Sequence, residues 1–178
     1  MRLRSSIGLV GLLACCVLVV AASPQKMSRV DLKLKPCRCE SKHGDVYVVC
    51  ADDRKARLTK SGLASDPKVS PDQTMCGWLT GTHQKHYKYG YVYLPDTLVL
   101  FKGGKVVRSL QGKGDYVGII VKWQFWQNGQ QVALAVGSVR RGTEWYELRD
   151  IATAKLLDMK RRWTNDVPPW AAAIAEQD

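Results

Sequence analysis

The 178-residue chain lacks the patterns on which most recognisable enzyme chemistry rests. It contains no glycine-rich phosphate loop, no serine nucleophile elbow and no Cys-x-x-Cys pair. Those absences set aside backbone cradling of phosphates, the strained serine turn and thioredoxin-type exchange. Histidine is scarce, with only His43, His83 and His86. His83 and His86 are three apart, a spacing that shares a face on a helix, but Gly81 and Gly90 bracket them as a loop. A metal site there would need further ligands, so no metal or other cofactor is expected. Acidic residues number 16 against 27 Lys and Arg, and show no paired setting for acid–base work. Glu144 and Glu147 read as solvated charges flanking a strand. The expectation is a protein that is not an enzyme. After Val20 no apolar run approaches the ~20 residues that span a bilayer.

The one long apolar run lies at the start. Arg2 and Arg4 precede Ile7 to Val20, and Val20-Ala21-Ala22 forms a small-residue cleavage site. That is the pattern of a secretory signal over residues 1–22, and it implies a periplasmic or secreted product. An uncleaved anchor is one alternative. Lipid anchoring at Cys15, after Leu12-Leu13-Ala14, is another, although Cys16 to Val20 continue apolar past that cysteine. Removing Arg2 and Arg4 leaves 25 basic against 16 acidic side chains, a balance of +9. Such a balance favours acidic partners, and here it is set beside an evenly spread surface charge that serves only solubility.

Four cysteines then remain, Cys37, Cys39, Cys50 and Cys76, and in an exported chain they point to two disulfides. Cys39 to Cys50 reads as a hairpin. With Gly44-Asp45 as a two-residue turn, Cys39 faces Cys50 across the strands, and Cys37 is left for Cys76. A bridge within Cys37-Arg38-Cys39 would be a strained ring, and one or both pairs could be reduced.

The rest of the chain is a succession of short β patterns. Val30 to Lys35 alternates apolar and polar residues. Ala56 to Thr59 is a short strand, and Ser61 to Asp66 a loop. Ser70-Pro71-Asp72-Gln73 reads as a type I turn with Pro71 at its second position, feeding a strand from Thr74 to Thr80. Thr97 to Phe101 and Lys105 to Leu110 flank Gly103-Gly104 as a hairpin. Tyr116 to Trp126 and Gln131 to Ser138 flank Asn128-Gly129, a strong hairpin signal. Thr143 to Arg149 and Lys155 to Met159 flank Asp150 to Ala154. Trp78, Trp123, Phe125, Trp126 and Trp145 are the expected bulky core.

The Ser-Pro-Asp-Gln turn running into an apolar, aromatic strand resembles the repeat of TolB-type β-propellers, with Gln73 standing where that repeat has glycine. The ending Asp150-Ile-Ala-Thr-Ala-Lys155 is similar to a propeller phrase with glycine at 154. The two phrases together resemble small exported bacterial proteins of unassigned function. Laid over one another, the halves repeat as turn, strand, excursion, strand, turn, strand. Two such units cannot close a ring of about four to eight blades. The expected fold is all-β: two propeller-blade-like antiparallel meanders, residues 66–110 and 115–160, packed together as a partial propeller or sandwich. An N-terminal disulfide-tied hairpin precedes them. One β domain covers residues 23–162, and a tail follows over 163–178.

The candidate binding surface is the excursion after the central strand: His83, Lys85, His86, Tyr87, Lys88 and Tyr89, with Tyr91 and Tyr93 beyond. Aromatic rings and cations suit contact with sugars or polyanions by stacking and charge; a structural hairpin whose tyrosines cover the sheet is the plainer alternative. The expected function is an exported, non-enzymatic binding or scaffold protein of the cell envelope. Its expected partner is an acidic polymer or another protein, without specific nucleic-acid recognition. The alternative is a small envelope hydrolase.

Overall fold

The computed structural model describes residues 38–50, 53–86, 90–112, 118–164 and 166–175, with Lys85 and His86 described through their backbone alone. The signal segment, Cys15, the Val30–Lys35 strand and Cys37 lie outside them. The described residues are all-β with one short α-helix. β1 (Arg38–Lys42), β2 (Asp45–Val49) and β3 (Lys55–Arg57) form an antiparallel sheet in chain order. A second sheet joins β4 (Ala64–Val69), β5 (Met75–His86), β6 (Gly90–Lys102) and β7 (Lys105–Gln111). A third joins β8 (Ile119–Trp126), β9 (Gln131–Ser138), β10 (Gly142–Asp150) and β11 (Leu156–Arg161). The helix α1 spans Pro169–Ala175.

Each four-stranded sheet is a meander, and the two are the expected blade-like units. Alternation decides which residues go where, because neighbouring side chains on a strand point to opposite faces. On one face of the second sheet, Met75, Leu79, Leu98, Leu100 and Leu110 meet Ile120, Trp123, Phe125, Val132, Leu134 and Val136 of the third. On the other face, Cys76, Trp78 and Phe101 meet Val46, Val48, Cys50 and Leu58 of the first sheet. The far face of the third sheet, with Ala133, Ala135, Tyr146 and Leu148, is covered by Trp170, Ala171 and Ile174 of α1. The order of layers is therefore hairpin sheet, first meander, second meander, helix. Trp126 and Trp145 are partly buried at the margins of these clusters, so all five expected aromatics pack. The tail set apart from the β domain supplies the final layer.

Three expectations require correction. The hairpin turn is His43-Gly44, both residues at positive φ (52° and 74°), not Gly44-Asp45. Lys42 therefore faces Asp45, and Cys39 faces Val48 rather than Cys50. Asp45 is held out of the turn because its buried carboxylate accepts hydrogen bonds from the Gly62 amide (3.2 Å) and Thr59 (3.3 Å) and pairs with Arg57. Burial opposes the charge of Asp45, but these partners together hold its carboxyl below the ordinary value. The disulfide joins Cys39 to Cys76, with Cα atoms 6.3 Å apart, and Cys50 is a buried free thiol. Neither expected pairing forms. Instead one bridge staples the first sheet to the second across 37 residues of sequence, worth about 2–4 kcal/mol.

The loop expected over Ser61 to Asp66 contains the first half of β4. Asp66-Pro67 interrupts its pairing as a bulge between Ser65 and Lys68, and β4 is an edge strand, where proline is tolerated. The third correction concerns Glu147. It is only 2% exposed, on the inner face of β10 between Trp145 and Arg149. Its carboxylate accepts from Trp145 Nε1 (3.0 Å) and Arg149 Nε (2.7 Å). A second guanidinium nitrogen of Arg149 lies 2.6 Å from the same carboxylate oxygen without hydrogen-bond alignment.

Cross-links between the meanders use polar groups as well. Arg108 on β7 donates Nε to the Ile151 carbonyl (2.9 Å) and a second nitrogen to Ala152. Trp123 donates Nε1 to the Asp66 carbonyl at 3.0 Å. The Lys68 ammonium lies 5.3 Å from the Trp123 ring centroid, donates to the Trp123 carbonyl, and pairs with Asp66 at 3.2 Å.

A candidate binding arm and its surroundings

The expected excursion is not a loop. β5 and β6 stay paired from Met75 opposite Lys102 out to His86 opposite Gly90. Their neighbours stop earlier: β4 pairs as far as Thr80 and β7 as far as Thr97. Beyond those positions the hairpin continues as a two-stranded arm. A register shift between Thr80 and Gly81 marks where it leaves the sheet. Gly81 is required there, since a Cβ would lie 1.8 Å from the Leu94 carbonyl oxygen. The glycine that looked like a loop boundary is thus the close approach of a bulge.

The base of the arm is fastened and its side is open. Leu94 is buried, and the Tyr93 hydroxyl donates to the Leu63 carbonyl. Burial raises the Tyr93 phenol above its ordinary value, which keeps the donating proton in place well past neutral pH. The His83 ring stands edge-on to Tyr93, with centroids 5.6 Å apart at 73°, and His83 itself is exposed. Two residues outward on the same strand face, Tyr91 is 77% exposed. Lys85 pairs with Tyr91 through the backbone and His86 with Gly90. Tyr87, Lys88 and Tyr89 lie outside the described residues. The structure thus brings His83, Lys85, Tyr91 and Tyr93 onto adjoining ladder positions.

A second exposed surface escaped the sequence reading. On the edge strand β11 and just after it, Leu156, Leu157, Met159 and Trp163 are all exposed, with Trp163 at 78%. The Arg162 guanidinium lies 5.3 Å from the Trp163 ring centroid. The signal was the run Lys155-Leu-Leu-Asp-Met-Lys-Arg-Arg-Trp163, whose apolar residues break strict alternation. Among the described residues no group of three or more His, Cys, Asp and Glu side chains converges as a metal site. Among those residues, no helix is long and apolar enough to cross a membrane.

The fold defines a class: an all-β protein built of two packed, blade-like antiparallel meanders. No family model and no curated protein matches the chain. Among solved structures it is similar to Kluyvelomyces marxianus Hsv2, at 12% identity and a TM-score of 0.44, over 64% of this chain and 36% of that one. It is similar to Kuenenia stuttgartiensis hydrazine synthase at 15% identity and a TM-score of 0.44, over 69% of this chain and 32% of the other. The WD40 β-propeller domain of Doa1 matches at 16% identity and a TM-score of 0.33, over 68% of this chain and 38% of that one. The chain thus spans roughly a third of the length of the solved structures it matches.

Proposed function

We propose that this is an exported, non-enzymatic binding protein of the cell envelope, whose β5–β6 arm contacts an acidic polymer. The observation that supports this reading is the arm itself. It is a paired, fastened hairpin that runs past its sheet and carries an exposed tyrosine among basic and aromatic residues. Exposed apolar rings cost solvation and serve as stacking surfaces, while Lys85 and, by its charge in the sequence, Lys88 supply attraction at longer range. The balance of +9 that remains without the signal segment acts in the same direction.

Binding to dextran sulfate, as the acidic probe, should weaken with added salt, because exposed charges are screened over about 8 Å at physiological ionic strength. Lys85→Ala with Lys88→Ala should weaken binding and flatten that salt dependence while leaving the melting temperature nearly unchanged. An early-melting double variant that binds as well as the parent would make the arm structural. The exposed Leu156, Leu157, Met159 and Trp163 favour a second reading, a partner protein that adds an extended segment to the open edge of β11. Leu157→Lys would abolish capture of such a partner and leave dextran sulfate binding intact.

A further inference from the structure

We propose that Arg140, Arg141, Arg161, Arg162 and Trp163 form a second binding surface, which takes an acidic polysaccharide. The proposal rests on the reading of an acidic polymer as the ligand, and adds its sugar character and a second place of contact. The sheet gathers these residues from the β9–β10 turn and the end of β11. Ser138 pairs with Gly142 across the turn, Trp145 pairs with Arg161, and the Arg162 amide donates to the Glu144 carbonyl (3.1 Å). The Arg162 guanidinium lies over the turn, with Nη1 3.9 Å from the place a Cβ on Gly142 would take. Arg140, Arg141, Arg161 and Trp163 are exposed. Glu144 sets one carboxylate beside them, accepting from the Ser138 hydroxyl at 2.8 Å, and the four guanidiniums outweigh it.

The residue types narrow the ligand. A guanidinium presents a planar fork of donors that fits paired anionic oxygens. Trp163 is 78% exposed, with the Arg162 guanidinium 5.3 Å from its ring centroid. That contact steadies the indole. The exposed ring then offers a flat apolar surface of the kind that packs on the face of a sugar ring. Attraction to charge alone gives no use for such a ring.

The arm stands at the same end of the molecule. Asp96, where β6 leaves the sheet, accepts from the Gly112 amide (3.0 Å), and a Cβ on Gly112 would lie 3.2 Å from Val136 Cγ1. Val136 pairs with Trp145, and Trp145 with Arg161. Strands are spaced by about 4.8 Å, so Val136 and Arg161 are roughly 10 Å apart. Arg161 shares the face of Trp145, which packs between the two meanders. One extended chain can therefore meet the base of the arm and the arginines.

Dextran sulfate, an acidic polysaccharide, and inorganic polyphosphate, an acidic chain without sugar, are titrated against the protein and its variants. In Arg141→Ala with Arg161→Ala, Kd for dextran sulfate should rise roughly tenfold with the melting temperature unchanged, since both side chains are exposed. Lys102→Ala with Lys105→Ala removes as much exposed charge at the opposite end, beside Met75, and should change Kd far less. Trp163→Ala should weaken binding of dextran sulfate and leave that of polyphosphate at the parent value. Parent affinity in the double arginine variant would overturn the proposal, as would equal weakening by the double lysine variant at the opposite end. Equal effects of Trp163→Ala on the two probes would overturn the assignment to a polysaccharide. If Lys85→Ala with Lys88→Ala binds as the parent does while the double arginine variant is weakened, the arm reading fails and this surface stands; the reverse pattern upholds the arm and overturns this surface.

Discussion

Gly129 rests against Ser70. A Cβ at position 129 would lie 3.2 Å from the Ser70 Cβ and 3.4 Å from Asp72 Oδ1. These residues belong to the corresponding turns of the two meanders, between β4 and β5 and between β8 and β9. The repeat seen in the sequence is therefore also a contact. Gly129 has φ of 86° and is buried in that contact.

Gly129→Val should destabilise the fold by well over the ~0.5 kcal/mol of an ordinary surface change. Left-handed backbone alone costs about 1–2 kcal/mol without glycine, and the added methyls meet Ser70 and Met75. Urea unfolding checks this; a midpoint equal to that of the parent chain would place the turn elsewhere.

Gln73 and Ala154, the two positions where the propeller-like pattern has glycine, both keep glycine's conformation, with φ of 55° and 61°. Gln73→Gly should stabilise by up to about 1 kcal/mol, since relief of left-handed strain exceeds the extra entropy of the unfolded chain, about 0.4–1 kcal/mol. Ala154→Gly should gain less, because the Ala154 side chain packs against the core between the meanders. Thermal melts of the two variants should rank in that order.

Acid should loosen the same turns. Burial opposes ionisation of Asp72, but hydrogen bonds from Ser70 (2.5 Å) and from the Thr74 hydroxyl and amide (2.7 and 3.1 Å) outweigh it and hold the carboxyl below its ordinary value. Asp150 is lowered by the Thr153 hydroxyl and amide at 2.6 and 2.7 Å. A carboxyl lowered on folding contributes stability that is present above its unfolded value and lost as pH falls through the folded one. Stability should accordingly decline from about pH 4 downward. Asp72→Asn should flatten that decline, as read from urea midpoints across pH; an unaltered acid limb would exclude Asp72 as a contributor.

The Glu147–Arg149 pair should be sensitive to single changes and tolerant of a joint one. Arg149→Met strands a carboxylate between the two meanders, and Glu147→Leu strands a guanidinium; either should cost about 3–5 kcal/mol. The double change should recover much of that loss, since apolar replacement of a buried pair is often close to neutral. A double-mutant cycle in urea measures the coupling, and additive losses would show that the two charges act independently.

Much of this fold was written in local alternation. Thr97 to Leu110 and Gln131 to Arg149 announce their strands because they are short apolar or alternating runs and the turns between them carry glycine. What alternation does not carry is the position of a turn to within one residue. His43 adopts φ > 0 beside Gly44, and that single step moves Cys39 from Cys50 to Val48. Nor does alternation reveal a charge that is buried by its partner: Trp145, Glu147 and Arg149 share a face, and the mutual neutralisation that lets them lie inside depends on three-dimensional proximity. β4 was concealed by Pro67, which only an edge position allows. The arm residues were found, but Gly81 and Gly90 looked like loop boundaries, and the pairing between them depends on β6 returning in register. The apolar surface on β11 was missed, although its strand was expected, because exposure belongs to the assembled sheet.

A stack of sheets leaves an outer face at each end that must be covered. Here both ends are stoppered. A disulfide-held hairpin sheet covers the outer face of the first meander, and a seven-residue helix covers that of the second. Among the described residues, both outer faces of the paired meanders are thus covered. Take either away, and the bare face is one built to receive another sheet.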